Sequence, residues 1–179
     1  GSTTGTVNFT PTDDSVYEGN ETATIAISGV SGADATENGT QTVTITITEN
    51  ESAPTITLAR SASSIDENSG STITLTATIS GVTDSAVTVA LTTSGTATEG
   101  TDYGTISDIT ISAGATTGTA TLDPTDDNVY EGDETATIDI SSVSGKSGVT
   151  ENSTQQVSVT ISENESAPTV TLATSDTSI

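Results

Sequence analysis

Cysteine, histidine, tryptophan and methionine are all absent from this 179-residue chain. Without cysteine there is no disulfide and no thiolate chemistry. That absence sets no redox compartment, because a secreted module can be stiffened by bound metal ions instead. With no histidine, and Lys146 the only lysine, the usual general bases and nucleophilic dyads are missing. A carboxylate pair could cleave glycosides, but one Phe and three Tyr do not make the aromatic platform that sugars normally need. An enzyme is therefore not expected. Positive charge is nearly as scarce: Arg60 and Lys146 stand against 25 acidic residues, for a formal net charge of −23. Such a balance excludes the basic patches that bind nucleic acid or anionic membrane surfaces. No stretch approaches the ~20 apolar residues of a membrane-spanning helix, so direct membrane insertion is not expected.

What is abundant is Thr, Ser, Gly and aliphatic residues. The apolar fraction is only 30%, so the core must be thin and aliphatic. β-Branched side chains favour pleated, half-buried strands over helices, and an all-β protein follows. The acids need a separate explanation. Two like charges ~4 Å apart at an effective dielectric of ~20 repel by about 4 kcal/mol. Clustered carboxylates must therefore be hydrated, protonated or bound to cations. Dispersed acids fit a solvated acidic surface of the halophilic kind, but the clusters do not.

The densest cluster is TDDNVYEGDETATI, Thr125 to Ile138, and nearly the same words occur as TDDSVYEGNETATI, Thr12 to Ile25. The likeness extends further. Thr3–Ile27 realigns with Thr116–Ile140 at an offset of 113, and Glu37–Ala59 with Glu151–Ala173 at 114, after one residue inserted near Lys146. A period of about 114 residues is domain-sized and predicts tandem repeats strung as beads. The SAP tripeptides, Ser52–Pro54 and Ser166–Pro168, mark the boundaries, since Pro ends one pairing and opens another. Residues 1–53 then form the C-terminal part of one repeat, 54–165 a complete repeat, and 166–179 the first strand of the next. The leading fragment lacks the first half of its strands and is not expected to be stable by itself.

Alternation inside the complete repeat predicts seven strands. They are a broken first strand (55–59 and 63–67), then 71–80, 86–94, 106–112, 117–123, 134–141 and 154–163. The fourth and fifth are joined by the Gly-bearing turn AGAT. Seven strands separated by turn signals make an antiparallel β-sandwich, aliphatic inside and Thr/Ser outside.

The acids of this repeat fall at strand ends: Glu67, Asp102, Asp126, Asp127, Glu131, Glu163 and Glu165. Loops of a sandwich collect at its two ends, so several of these can converge. Calcium takes six to eight oxygens, mostly carboxylates and carbonyls, and the inventory suffices for at least one ion. Asp133 and Glu134 read as solvated residues at the start of a strand, partly because Asn20 replaces Asp133 in the other copy. Tyr103 reads as a core aromatic, and Tyr17 and Tyr130 as packing beneath their acidic turns.

SIDENSGSTITLTATIS, GTATEGTDYG, DDNVYEGDETATIDI and VSVTISENE together resemble the Calx-beta domain, and the likeness covers essentially the whole period. The resemblance implies an immunoglobulin-like sandwich that binds Ca2+ at the end meeting the next module. Carried over by position, the ligands are Glu67, Asp102, Asp126, Asp127 and Glu131. The family's terminal run of aspartates is here Glu163, Asn164 and Glu165. The matching positions of the partial repeat are Asp13, Asp14, Glu18, Glu49, Asn50 and Glu51. The expected function is a calcium-binding structural repeat that rigidifies a secreted or cell-surface adhesin or filament. Its expected partners are neighbouring repeats and other copies of the chain in a filament. A regulatory calcium sensor and a ligand-binding adhesion domain are the alternatives.

Overall fold

The computed structural model describes residues 4–175. Residues 54–165, the stretch read above as the complete repeat, form a sandwich of two sheets whose strands alternate inward aliphatics with outward Thr and Ser. We number the strands through the chain: β1 (Glu21–Ala26) and β2 (Thr42–Ile47) precede the repeat. Within it lie β3 (Thr55–Arg60), β4 (Ser64–Asp66), β5 (Ile73–Ile79), β6 (Val87–Gly95), β7 (Ile109–Ile111), β8 (Thr117–Leu122), β9 (Glu134–Ser144), β10 (Thr150–Glu151) and β11 (Gln156–Ser162). One sheet has the order β10-β3-β5-β8 and the other β4-β11-β9-β6-β7.

The broken first strand has a topological consequence. β3 pairs antiparallel with β5, whereas β4, after the break, joins the opposite sheet and runs parallel to β11. The expected antiparallel pairing therefore holds except for this pair and the short parallel pairing of β10 with β3. β10, only two residues long, has no periodicity that a sequence could display. The fourth strand is also shorter than expected. Ile106 turns into the core from the preceding loop, and Asp108 Oδ1 accepts the Leu91 N–H at 3.0 Å, where the β6–β9 register slips by one residue. The turn after β7 crosses between sheets, because β7 pairs with β6 and β8 with β5. Gly118 permits that close passage: a Cβ there would lie 2.4 Å from the Thr110 carbonyl oxygen.

The core is the expected aliphatic set. Leu75, Val87, Val89, Ile109, Ile111, Leu122, Ala136, Ile138 and Val159 are fully buried, and Tyr103 is the large aromatic among them. Each such aliphatic contributes roughly 1.5–3 kcal/mol relative to exposure. The leading fragment contrasts with this. β1 and β2 pair antiparallel with no facing sheet among the described residues, leaving Val43 62% exposed. Residues 166–175 form no strand, and Val170 and Leu172 stand almost fully exposed; 176–179 of the expected opening strand lie outside the described residues.

Ile138→Ala is expected to destabilise the repeat by about 2–5 kcal/mol in denaturant titration. Val43→Ala is expected to change it by less than about 0.5 kcal/mol. Equal effects would mean that the core is not where the structure puts it.

Candidate metal centre

Strand pairing brings the acids together. Ser162 of β11 is registered in parallel with Asp66 of β4, so Glu163 and Glu67 leave neighbouring strands side by side. Glu67 opens a single 3-10 turn that Gly70 closes in the left-handed region. Ile161 faces Glu134 across the β11–β9 pairing, which sets Glu134 on the same end of the sheet. Asp102 comes from the loop that buried Tyr103 anchors to Pro124, and the Asp102 carbonyl accepts the Thr125 N–H at 2.9 Å. That bond ties the loop to the start of the acidic turn.

Two sets of three carboxylates result, Glu67 with Glu163 and Glu165, and Asp102 with Glu131 and Glu134. Within each set, one carboxylate oxygen per residue lies within 4.8 Å of the others. Glu67, Asp102, Glu131, Glu134 and Glu163 line one cleft of ≈ 10 Å³, about the room of one water or small ion. Asp126 and Asp127 belong to neither tight set. They are exposed on the rim, and Asp127 Oδ1 accepts the Val129 N–H at 2.6 Å.

Glu163 has a further role. Its Oε2 accepts the N–H groups of Glu131 (2.6 Å) and Gly132 (2.8 Å), and its Oε1 those of Asn164 and Glu165 (both 2.9 Å). Four N–H groups match the lone pairs of one carboxylate. The Glu165 N–H first, then those of Glu131 and Gly132, hold Glu163 down to about 2. Glu163 thus buckles the acidic turn to the chain leaving β11, and its charge stays.

The remaining acids are pushed the other way. Burial first, then the hydrogen bond shared with Asp102, raises Glu134 to about 7. Glu134 is therefore no solvated strand residue, as its sequence position suggested; it is half-buried inside the cleft because it opens β9 two residues before Ala136, on the same inward face as Ala136 and Ile138. Asp133 is exposed as expected, yet its Oδ1 accepts the Glu163 N–H at 3.1 Å. Glu67 and Glu131 are raised by desolvation ahead of their acidic neighbours, and Glu165 by its hydrogen bond with Glu163. Glu165 Oε1 takes the Asn164 Nδ2 donor at 3.0 Å, while Oε2 is sealed from solvent with no hydrogen-bond partner among the described residues. A buried carboxylate oxygen in that condition fits a cation.

The family profile of the Calx-beta domain matches residues 1–51 and again 49–165. This chain belongs to the Calx-beta domain family. Calx-beta domains are calcium-binding regulatory or structural modules. Similar solved structures include the apo form of the Calx CBD1 domain, at 22% identity over 63% of this chain and 99% of that one, with TM-score 0.48. CBD12 from CALX1.2 is 22% identical over 59% of this chain and 44% of its own, with TM-score 0.48. The calcium binding domain CBD12 of CALX1.1 is 23% identical over 58% and 44%, with TM-score 0.47. No curated protein sequence matches the chain.

The partial Calx-beta repeat keeps the buckle without the cage. Glu49 Oε2 accepts from Glu18 and Gly19 (both 2.5 Å) and Oε1 from Asn50 and Glu51 (both 3.0 Å); the Glu51 N–H first, then the Glu51 side chain and the Gly19 and Glu18 N–H groups, hold Glu49 down to about 2. Asn20 Oδ1 accepts the Glu49 N–H at 2.9 Å, the role Asp133 plays for Glu163, so only an acceptor is needed there. Asp13 is bonded by Asn50 Nδ2 at 2.9 Å and Asp14 by the Val16 N–H at 2.8 Å. Asp13, Asp14, Glu18, Glu49 and Glu51 supply no set of three converging carboxylates.

Tyr103 is core as expected, but two tyrosines depart from expectation: Tyr130 is 45% exposed, and Tyr17 packs on the following repeat instead of under its own turn. The acidic turns are tied down by the Glu49 and Glu163 buckles, which leaves both rings free to point outward.

These shifts fix a pH dependence for the calcium-free protein. Glu134, raised above its unfolded value of ~4.3, costs stability as it ionises while pH rises through 7. Glu49 and Glu163, depressed to about 2, stabilise above ~4.3 and lose that contribution as pH falls toward 2. In chelator, Tm is expected to peak near pH ~5 and fall on both sides. A Tm rising monotonically to pH 8 would contradict the protonation assigned to Glu134.

Proposed function

We propose that this chain is a calcium-binding structural repeat that stiffens an extended extracellular adhesin or filament. Its carboxylate-lined sites lie at the junctions between repeats. The observation that carries the reading is the Glu165 carboxylate, grouped with those of Glu67 and Glu163, whose Oε2 is sealed from solvent with no hydrogen-bond donor within reach among the described residues. Calcium takes six to eight oxygens in flexible geometry at roughly 2.3–2.6 Å. Glu67, Asp102, Glu131, Glu134 and Glu165 are the proposed inner ligands. Asp126 and Asp127 close the rim, and Glu163 positions the turn and adds charge. A divalent cation would replace the proton held by Glu134 and relieve repulsion that no protein cation offsets here.

A structural role is favoured over a sensor by the closeness of the two copies, and by contact between them. The acidic turn of the first copy touches the complete repeat, Tyr17 N–H donating to the Val82 carbonyl at 2.9 Å. An ion at such a turn stabilises the folded module by linkage and fixes the orientation of its neighbour. At extracellular calcium concentrations even a weak site fills. The proposed partners are therefore neighbouring repeats and other copies of the chain.

Calcium at ~100-fold its Kd is expected to stabilise by about 2.7 kcal/mol, raising Tm by roughly 5–10 °C over chelator. Glu134→Gln should weaken calcium binding at least ~10-fold in calorimetric titration, because charge count sets affinity in such sites. Asp34→Asn, outside the cleft, should not. A Tm indifferent to calcium would end the proposal.

A further inference from the structure

Tyr17 and Tyr130 occupy the same position in the two copies, 113 residues apart, yet their surroundings differ. Tyr17 is half-buried in a built socket on the complete repeat. Its N–H donates to the Val82 carbonyl, and its backbone bridges in parallel to Thr83. Thr83 is the one buried polar residue of the described chain, fixed by its Oγ1 donating to the Ser85 carbonyl at 2.7 Å and by its own carbonyl accepting the Gly114 N–H. On the other side, Gly148 leaves room for the ring: a Cβ there would stand 2.2 Å from the Tyr17 hydroxyl oxygen. Lys146 closes the socket. Its Nζ lies 2.5 Å from Asp84 Oδ1, 2.5 Å from the Glu18 carbonyl and 5.8 Å from the Tyr17 ring centroid.

Tyr130 has none of this. It is 45% exposed and Val129 beside it 57% exposed, an apolar knob projecting from the most acidic turn of the molecule. The geometry points to Val129 and Tyr130 as the docking knob for another copy of this repeat, with Val82–Asp84 and Lys146–Gly148 of that copy as its socket. The occupant follows from the seated Tyr17, which shows the same turn on the same surface. Charge complementarity supports it. Lys146 is the only lysine, it sits where an acidic turn arrives, and it separates the Glu18 backbone from Asp84. The corresponding loop of the first copy, Val30 to Glu37, is one residue shorter and has no lysine. The socket is therefore a property of particular repeats, and it gives the junction a lock made of protein atoms alone, independent of the proposed calcium sites.

Ser166–Ile179 repeats Ser52–Ile65 in register, so the full chain can be continued after Ile179 by a further copy of residues 66–179. Hydrogen exchange of the Tyr130 amide, followed by NMR in excess chelator, tests the docking. Slow core amides of the added copy report that it has folded. The Tyr130 amide is expected to exchange at least ~10-fold more slowly in the extended chain than in the 179-residue chain, approaching the Tyr17 amide of the same sample. Gly148→Ala in the added copy should abolish the slowing, and Lys146→Gln, which leaves the loop backbone unstrained, should reduce it. Equal exchange of Tyr130 in the two chains would overturn the proposal, as would slowing that survives both substitutions. Because calcium is absent throughout, the outcome is separate from that of the calcium titration.

Discussion

Four backbone N–H groups converge on the Glu163 carboxylate, two from the acidic turn and two from the chain that leaves the last strand. The same four-fold contact recurs at Glu49. A Gly-containing turn carrying Asp126, Asp127 and Glu131 would otherwise be driven outward by its own charge. Bonding to a carboxylate that stays ionised overcomes this, since charge-assisted hydrogen bonds are roughly twice as strong as neutral ones. It does so at a cost, because one more negative charge is fixed at the centre of the cluster. Every other perturbed acid of the cleft responds to that charge or to burial by holding its proton more tightly.

The cleft is thus built to be incomplete in protein atoms. Strand register sets Glu67 beside Glu163 and Glu134 opposite Ile161, so backbone pairing, not side-chain attraction, holds like charges together. The sandwich core of the complete repeat supplies the rigidity. The first copy, whose β1–β2 ribbon has no facing sheet among the described residues, carries the same buckle at Glu49 without converging carboxylates.

Much of this was legible in the residues. Alternating Ile, Val and Leu gave the strands and their inward faces. Acids at strand ends gave Glu67, Asp102, Glu131, Glu163 and Glu165 as members of one end of the sandwich. What was hidden depended on three-dimensional neighbours. Glu134 looked like any polar residue opening a strand, and only its pairing opposite Ile161 shows that it faces the cleft. Asp126 and Asp127, the most conspicuous acids in the sequence, lie on the rim, since the turn points them outward before Glu131 turns in. Tyr17 and Tyr130 looked like props for their turns; Tyr17 instead packs on the following repeat and Tyr130 stands exposed, and no local pattern encodes either. The parallel β4–β11 pairing, on which the cleft depends, arises from a strand break whose sheet-switching no periodicity reveals.

The central claim is that a calcium ion completes this cage. Anomalous diffraction from crystals of the full chain grown in millimolar calcium tests it most directly. The expected result is at least one calcium peak in the cleft, at roughly 2.3–2.6 Å from carboxylate oxygens, with Glu134 and Glu165 Oε2 among them. Ordered Glu67, Asp102, Glu134 and Glu165 side chains around a cleft with no anomalous peak would contradict it.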